Sequence, residues 1–350
     1  MRVLYFGTYD RAYPRNAQVI SCLRRAGADV VEHHVSVWDG RRDAWTAGLA
    51  SALRVAVSEL RLFRRPKGFD VLVVGYPGHF DFPAARWAAR GRPVVFNPLV
   101  SLTDTLVSDR GRFRAGSLAA RTLEAVDRRA FRSADLVVAD TEAHADYLAE
   151  LTGVPRSRFA VCLVGAEERV FRPAWRWTEP FTCLFVGKLI PLHGLETILE
   201  AARLTPEIRF RVVGSGQLDA ELERRPENVE WMRWVEYERL LDELAVAGCA
   251  LGIFGTSGKA GRVIPNKAYQ ALACGTPLVT ADTPAARELL VDGESALLVR
   301  PGDPAALSAA VRRLAGDPGL AEHLSGGGLY TFQERASERV LGARWRALLE

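Results

Sequence analysis

With 350 residues, 48% of them hydrophobic and 25% charged, the chain has the composition of a soluble globular protein and the length for two domains with separate cores. It has no run approaching the roughly 18–20 apolar residues of a membrane span. Its five cysteines form no CxxC pair, and the N-terminal MRVLYFGTYD enters a strand pattern directly, which argues against structural zinc, a disulfide scaffold and a secretory leader, and for a reducing cytoplasm.

The net charge of +4 is uneven: residues 1–175 carry 26 basic against 19 acidic side chains, and the rest 20 against 23. A basic first half can steer an anionic acceptor or contact an acidic membrane surface peripherally; a solvated basic surface is the plainer alternative. Arginine dominates the basic residues, as in a GC-rich bacterial genome, and only Lys67, Lys188, Lys259 and Lys267 are lysine. Three of these four fall at loop-to-helix junctions of the second half, where a compact ammonium is not equivalent to a forked guanidinium.

In chain order, Val3–Phe6 reads as a strand ending at Gly7-Thr8. A loop to Asn16, an amphipathic helix through Leu23 and a strand from Val30 complete an α/β opening. Residues 45–65 carry an apolar stripe with arginines beside it and predict another helix. Apolar runs at Val71–Gly75, Val94–Phe96 and Leu136–Ala139 predict buried parallel strands, with helices at Ala84–Ala89 and Ser117–Phe131 between them. The loops Tyr76–Asp81 and Asn97–Thr105 then lie at carboxyl ends of strands, where open α/β sheets bind ligands. Asp140-Thr141 caps a helix through Leu151, and Phe159–Val164 precedes a linker at Phe171–Pro180.

A second α/β set follows. Strands are predicted at Thr182–Val186, Arg209–Val213, Val229–Met232, Ala250–Phe254, Pro277–Thr280 and Ala296–Val299. Helices are predicted at Leu195–Arg203, Leu218–Glu223, Tyr237–Ala247, Asn266–Ala273, Pro284–Leu290, Pro304–Leu314 and Glu334–Leu349. Three junctions carry chemistry. Val186-Gly187-Lys188 through His193-Gly194 leaves a strand and opens a helix. Val213-Gly214-Ser215-Gly216 is a second glycine turn, without the third glycine and following acid of a dinucleotide fingerprint, which disfavours NAD and FAD. The stretch Leu251–Asp282 holds Gly255, Gly258, Lys259, Gly261 and Arg262 ahead of Pro265-Asn266-Lys267. Free N–H groups, a helix dipole and cations in one place suit a phosphate or diphosphate.

These pieces in this order (FVGKLIPLHGLETILEAA, VVGSG, residues 251–282, ELLVDGESALLVRP) resemble the family 4 (group 1) glycosyltransferases of the GT-B fold, in the variant subgroup with Pro-Asn-Lys. The resemblance implies two Rossmann-like domains facing across a cleft. Residues 1–172 would form an acceptor domain, 173–331 a nucleotide-sugar donor domain, and 332–350 a helix crossing back to the first. It implies a metal-independent, retaining transfer from a nucleotide-diphosphate sugar, a co-substrate and not a cofactor, to an unidentified acceptor (glycan, lipid-linked or small molecule). Cysteine usage and the basic first half place the protein in the cytoplasm or at a membrane periphery, and basic residues without an interleaved aromatic platform argue against a nucleic-acid partner.

On this resemblance Lys188 and Lys267 are catalytic candidates, with His79, Asp81 and Asp104 the nearest substitutes for a histidine that the family carries near Leu99, and His79 and Asp104 the ones taken as catalytic. Donor-binding candidates are Gly187, His193, Gly214, Ser215, Val235, Lys259, Gly261, Arg262, Asn266 and Gln270, with backbone N–H groups near Gly187, Gly214, Ser215 and Gly261 meeting the diphosphate. Arg262 and Gln270 stand where the family has paired glutamates. Gln270 can still meet a ribose hydroxyl; Arg262 is suited to phosphate. Plainer roles remain open: surface lysines at 188 and 267, a helix cap at His193, a structural His79, and core packing for Trp231 and Trp234. A nucleotide-sugar epimerase or hydrolase, or an idle donor-binding subunit, are the rival readings.

Overall fold

The computed structural model describes residues 1–11, 13–36, 58, 60–63 and 66–350, so the helix expected over 45–65 lies almost wholly outside the described residues. The chain divides into two compact units, Met1–Val164 with Leu341–Glu350, and Gly165–Val340.

In the first unit, strands β1 (Arg2–Gly7), β2 (Asp29–His34), β3 (Val71–Val74), β4 (Val94–Phe96), β5 (Leu136–Ala139) and β6 (Phe159–Val161) form one parallel sheet in the order β2-β1-β3-β4-β5-β6. Side chains alternate across it, as the two-residue period of a strand dictates. Val3 and Tyr5 enter one core with Val71, Val73, Val19 and Leu23, the last two on α1 (Pro14–Arg25). Leu4 and Phe6 enter the other with Phe82 on α2 (Phe82–Ala89), Phe131 on α3 (Leu118–Ser133) and Leu148 on α4 (Glu142–Thr152). Both faces being covered explains why the central strands read as continuous apolar runs. The helix boundaries follow local chemistry: Ser117 and Thr141 accept from the backbone N–H three residues on, and Gly153 closes α4 in the left-handed region.

The second unit repeats the plan. Strands β7 (Thr182–Val186), β8 (Arg209–Val213), β9 (Val229–Met232), β10 (Cys249–Leu251), β11 (Leu278–Ala281) and β12 (Leu297–Val299) pair in parallel as β12-β11-β10-β7-β8-β9. Around them lie α5 (Leu195–Leu204), α6 (Asp219–Leu222), α7 (Leu240–Val246), α8 (Asn266–Cys274), α9 (Pro284–Arg287), α10 (Pro304–Ala315) and α11 (Pro318–Arg335). The last helix, α12 (Glu338–Leu349), places Leu341 and the 1%-exposed Trp345 in the first unit's core beside Val3 and Leu23.

Two findings depart from the sequence-based expectation. Helix α11 lies between the expected helices Pro304–Leu314 and Glu334–Leu349 and has no counterpart among the expected elements, and its interior holds Gly326-Gly327-Gly328, residues of low helix propensity. Two of those glycines let it pack: a methyl group on Gly327 would stand 2.0 Å from the carbonyl oxygen of Glu294, and one on Gly328 would press on Leu272. The other is a single π-helical segment, Asp104–Asp109, after β4.

The loop leading into that segment hangs from one carboxylate. Fully buried Asp127 on α3 accepts from Ser101 Oγ (2.7 Å), Leu102 N (3.0 Å) and Thr103 N (2.9 Å). Removing it strands three buried donors, each costing about 1–3 kcal/mol. Asp127→Ala should therefore lower the denaturation midpoint of the first unit by an amount equivalent to about 3 kcal/mol or more. A midpoint within error of the parent protein would refute this clamp.

Candidate functional site

In the second sheet, the chain leaves β7 for β8 and β9 on one side and returns for β10 to β12 on the other. The carboxyl ends of β7 and β10 therefore flank the point where strand order reverses, the place where open α/β sheets form a ligand crevice. Three of the expected residues meet there. A methyl group on Gly187 would lie 2.9 Å from Lys267 Nζ and 3.2 Å from His193 Cε1, so only glycine lets the turn close over both side chains. The turn at Gly214 presses on it from β8, since a methyl group there would come within 1.9 Å of the Gly187 carbonyl oxygen. Trp231 fixes this second turn by donating Nε1–H to the Gly214 carbonyl at 2.9 Å.

Lys267, in the first turn of α8, has an unusual environment. Its Nζ is buried, has no hydrogen-bond partner, and rests 3.6 Å from the centre of the Phe185 ring. His193 packs edge-on against the same ring, at 5.5 Å between centres, with Nδ1 at the Lys188 carbonyl. Burial drives the Lys267 ammonium well below its ordinary 10.5, and among the described residues no acidic side chain acts on it. Burial, and then the proximity of Lys267, hold His193 well below 6.5, against the pull of the Lys188 carbonyl. Burial thus disfavours the charged form of both side chains.

The other expected residues are placed as follows. Gln270, 8% exposed, and Lys267 both line a small cavity with Leu184, Val186, Leu240, Leu244, Ala250 and Leu251. Its amide is bonded to the Tyr237 hydroxyl, which itself donates to Glu167 Oε1 at 3.2 Å. Asn266 opens α8, and Lys188 is exposed at the Gly187 turn. Buried Lys259 precedes the 3₁₀ turn Ala260–Arg262, which packs against α9. Val235 is half-buried, next to Trp234. That indole is 51% exposed and does not pack in the core, whereas Trp231 packs against it.

Two expectations need correction. Three of the four backbone N–H groups offered to a diphosphate are already bonded: Gly187 to Val213 O (2.9 Å), Gly214 to Met232 O (2.8 Å) and Gly261 to Ser257 O (3.4 Å). The parallel ladder continues one residue past the strands and consumes the first two. Only the N–H of exposed Ser215 remains from that set.

The second correction concerns the first unit. The His79 imidazole is wholly buried between Phe96 and Phe131, with Nε2 3.3 Å from Asp127 Oδ1, so it braces the loops after β3 and β4 and presents no surface to a substrate. Burial lowers its basicity more than Asp127 restores it. Asp104 is 1% exposed and receives the Tyr147 hydroxyl at 3.2 Å, and Asp81 is consumed by the Thr8 N–H and hydroxyl. Sequence reading missed Phe185, Trp231 and Tyr237, whose apolar bodies hide their role in holding the site.

A wider groove, near the N-termini of α5 and α10, is lined by Glu196, Glu200 and Glu221. Burial and the neighbouring Glu196 carboxylate raise the Glu221 pKa, and such a surface repels a diphosphate.

A family model described as "Glycosyl transferases group 1" matches residues 180–317, and one described as "Glycosyl transferase 4-like domain" matches residues 2–165. Curated D-inositol 3-phosphate glycosyltransferases are 29% identical over 345 residues in Acidothermus cellulolyticus (85% of this chain, 72% of that one) and 27% over 304 in Thermomonospora curvata (72% and 67%). Among solved structures, Anabaena HepE in complex with UDP and glucose aligns with a TM-score of 0.71 at 16% identity, covering 100% of this chain and 99% of that one. Sucrose-phosphate synthase from Thermosynechococcus elongatus aligns with a TM-score of 0.74 at 16% identity, covering 99% and 98%. Both neighbours have the GT-B fold, as does this chain.

The Lys267 environment fixes the sign of a stability effect. Above the ordinary lysine value of 10.5 the residue is neutral folded or unfolded and costs nothing. Below it the unfolded chain takes up a proton that the folded chain resists, so stability falls as pH falls. Lys267→Met should therefore raise the melting temperature of the ligand-free protein at pH 7, by roughly 2–4 °C per kcal/mol recovered. The gain should shrink as pH approaches 10.5. A variant that melts at or below the parent temperature at pH 7 would show that the lysine is not held at a cost.

Proposed function

We propose that this chain, which belongs to the group 1 glycosyltransferases, moves a sugar from a nucleotide-diphosphate sugar held at the Gly187–His193–Lys267 cluster to an acceptor hydroxyl. The observation that carries the donor assignment is the buried Lys267 ammonium position, which has neither a hydrogen-bond partner nor a carboxylate and therefore lacks its counter-charge. A diphosphate supplies that charge. We favour uridine as the base because HepE is described with UDP, and a phosphorylated polyol as acceptor because the relatives are named for D-inositol 3-phosphate.

The chemistry follows from the charges. As the bond between the sugar and the diphosphate breaks, positive charge develops on the sugar and negative charge on the departing phosphate. Lys267 and the exposed Lys188, with the N-terminus of α8 and the Ser215 N–H, are the groups proposed to stabilise that phosphate. His193, held through Nδ1 at the Lys188 carbonyl, would orient the turn. Since these groups can neutralise the leaving group, we propose transfer without a metal or cofactor, and with retention of configuration as the resemblance implies. The base edge would lie near Val235 and the exposed Trp234.

The test is a thermal-shift panel of UDP-, GDP-, dTDP- and ADP-sugars, followed by product analysis with and without inositol phosphate. Stabilisation by UDP-sugars and an acceptor-dependent new glycoside are expected. Lys267→Ala should cut turnover at least tenfold, because one charge-assisted phosphate contact is worth about 1.5–3 kcal/mol. Sugar isomerisation or hydrolysis as the sole reaction, or nucleotide binding without any turnover, would overturn the transferase reading in favour of an epimerase, a hydrolase or an idle partner subunit.

A further inference from the structure

An amide side chain can offer a ligand either a donating nitrogen or an accepting oxygen, and its neighbours decide which. Gln270 on α8 is 8% exposed and shares its cavity with Lys267. Beside it, Tyr237 opens the 3₁₀ turn Tyr237–Arg239 that leads into α7, and its hydroxyl donates to Glu167 Oε1 at 3.2 Å. A phenol has one proton to give. With that proton spent on Glu167, the Tyr237 oxygen accepts from Gln270, and its partner is therefore the amide nitrogen. Burial, and then the Glu167 carboxylate, raise the Tyr237 pKa, so the hydroxyl keeps the proton that this order requires.

The order of donors turns the amide. Nε2 serves Tyr237, and Oε1 is the end left to accept from a ligand hydroxyl. Gln270 thereby offers what one carboxylate oxygen would offer, without a second charge in the cavity that Lys267 lines. One short turn holds the arrangement from behind. The N–H groups of Val170 and Phe171 donate to the Glu167 carbonyl at 2.9 and 2.8 Å. The same turn sets the Phe171 ring edge-on against Tyr237, 5.5 Å between centres at 87°, and Arg169 Nη2 3.5 Å from Glu167 Oε2. The Glu167 side chain is only 13% exposed, so little water competes for its bond to Tyr237. All of these residues belong to the second unit.

We propose that Tyr237 and Glu167 are positioning residues: they hold the Gln270 amide with its oxygen toward a ribose hydroxyl of the donor, and so make the site select a ribonucleotide over its deoxy counterpart. A polar group fixed to meet a ligand hydroxyl is left unpaired when that hydroxyl is missing, and this is what gives such a site its selectivity. The inference rests on the donor reading for placing a nucleotide at Gln270, while the fixed amide stands on the second unit's own contacts.

The experiment is a set of calorimetric titrations of the full chain, Tyr237→Phe, and the double variant Tyr237→Phe with Gln270→Glu. The probes are UDP, GDP and ADP, each beside its 2′,3′-dideoxy counterpart. The parent should bind the ribonucleotide at least about tenfold more tightly than the dideoxy form. In Tyr237→Phe that preference should shrink toward unity, through weaker binding of the ribonucleotide with the dideoxy affinity unchanged. The double variant should recover the preference, because a carboxylate accepts on either oxygen and needs no partner to turn it. A parent that binds both forms of a nucleotide alike would overturn the proposal and leave the donor reading standing. So would a Tyr237→Phe variant that keeps the parent's preference, or one that loses affinity for both forms by the same factor, the mark of a packing role alone. A double variant without the preference would also overturn it. Absence of binding by all three nucleotides would sink the donor reading, and this inference with it.

Discussion

The arrangement of this protein depends on a constraint of parallel sheets. A right-handed crossover places each next strand on one side until the chain turns back, and at that one place two carboxyl-end loops diverge and leave a crevice. Each sheet here reverses once, between β1 and β3 and between β7 and β10. Both crevices hold cationic side chains not neutralised by a bonded carboxylate: Arg15 in one, Lys267 in the other. The apolar cores on both faces hold the strand ends rigid, and the strand ends hold the charges.

Close approach, and not hydrogen-bond donation, is what the glycines at the second crevice provide. Their N–H groups are spent on neighbouring carbonyls, yet any side chain at Gly187 or Gly214 would collide with Lys267 or with the opposing turn. The two turns are therefore one packed object. Trp231 closes it from below and Phe185 seats the two bases above the core. An aromatic face is a suitable seat for an amine that is charged only part of the time, since it attracts a cation weakly and tolerates the neutral form.

Strands, their parallel pairing and the two-unit plan were legible because strands buried on both faces become apolar runs bounded by glycine turns, as at Val71–Val74 and Thr182–Val186. The junctions at Gly187, Gly214 and Lys267 stood out as glycine turns after strands and as a rare lysine at a helix start, while their meeting in space is a matter of tertiary contact. What escaped was set by tertiary contact. The close packing of Gly327 and Gly328 against Glu294 and Leu272 inside a helix is not visible in a run of glycines. His79 looked available at a strand end, but an aromatic pair and Asp127 enclose it. Asp127 itself lies inside a helix full of arginines, where nothing in its neighbours hints that it holds a loop from another part of the chain. Arg15, likewise, reads as one more arginine in an arginine-rich chain.

The seating of Lys267 on Phe185 has a thermodynamic consequence on the donor reading. An amine whose hold on its proton is weakened by burial and strengthened beside a diphosphate takes up proton from solvent as the donor enters. The proton is then a third participant in the association. Its uptake would appear in the binding heat as a dependence on the buffer's own ionisation enthalpy, and the crevice would hold its anion more weakly as the medium becomes more alkaline.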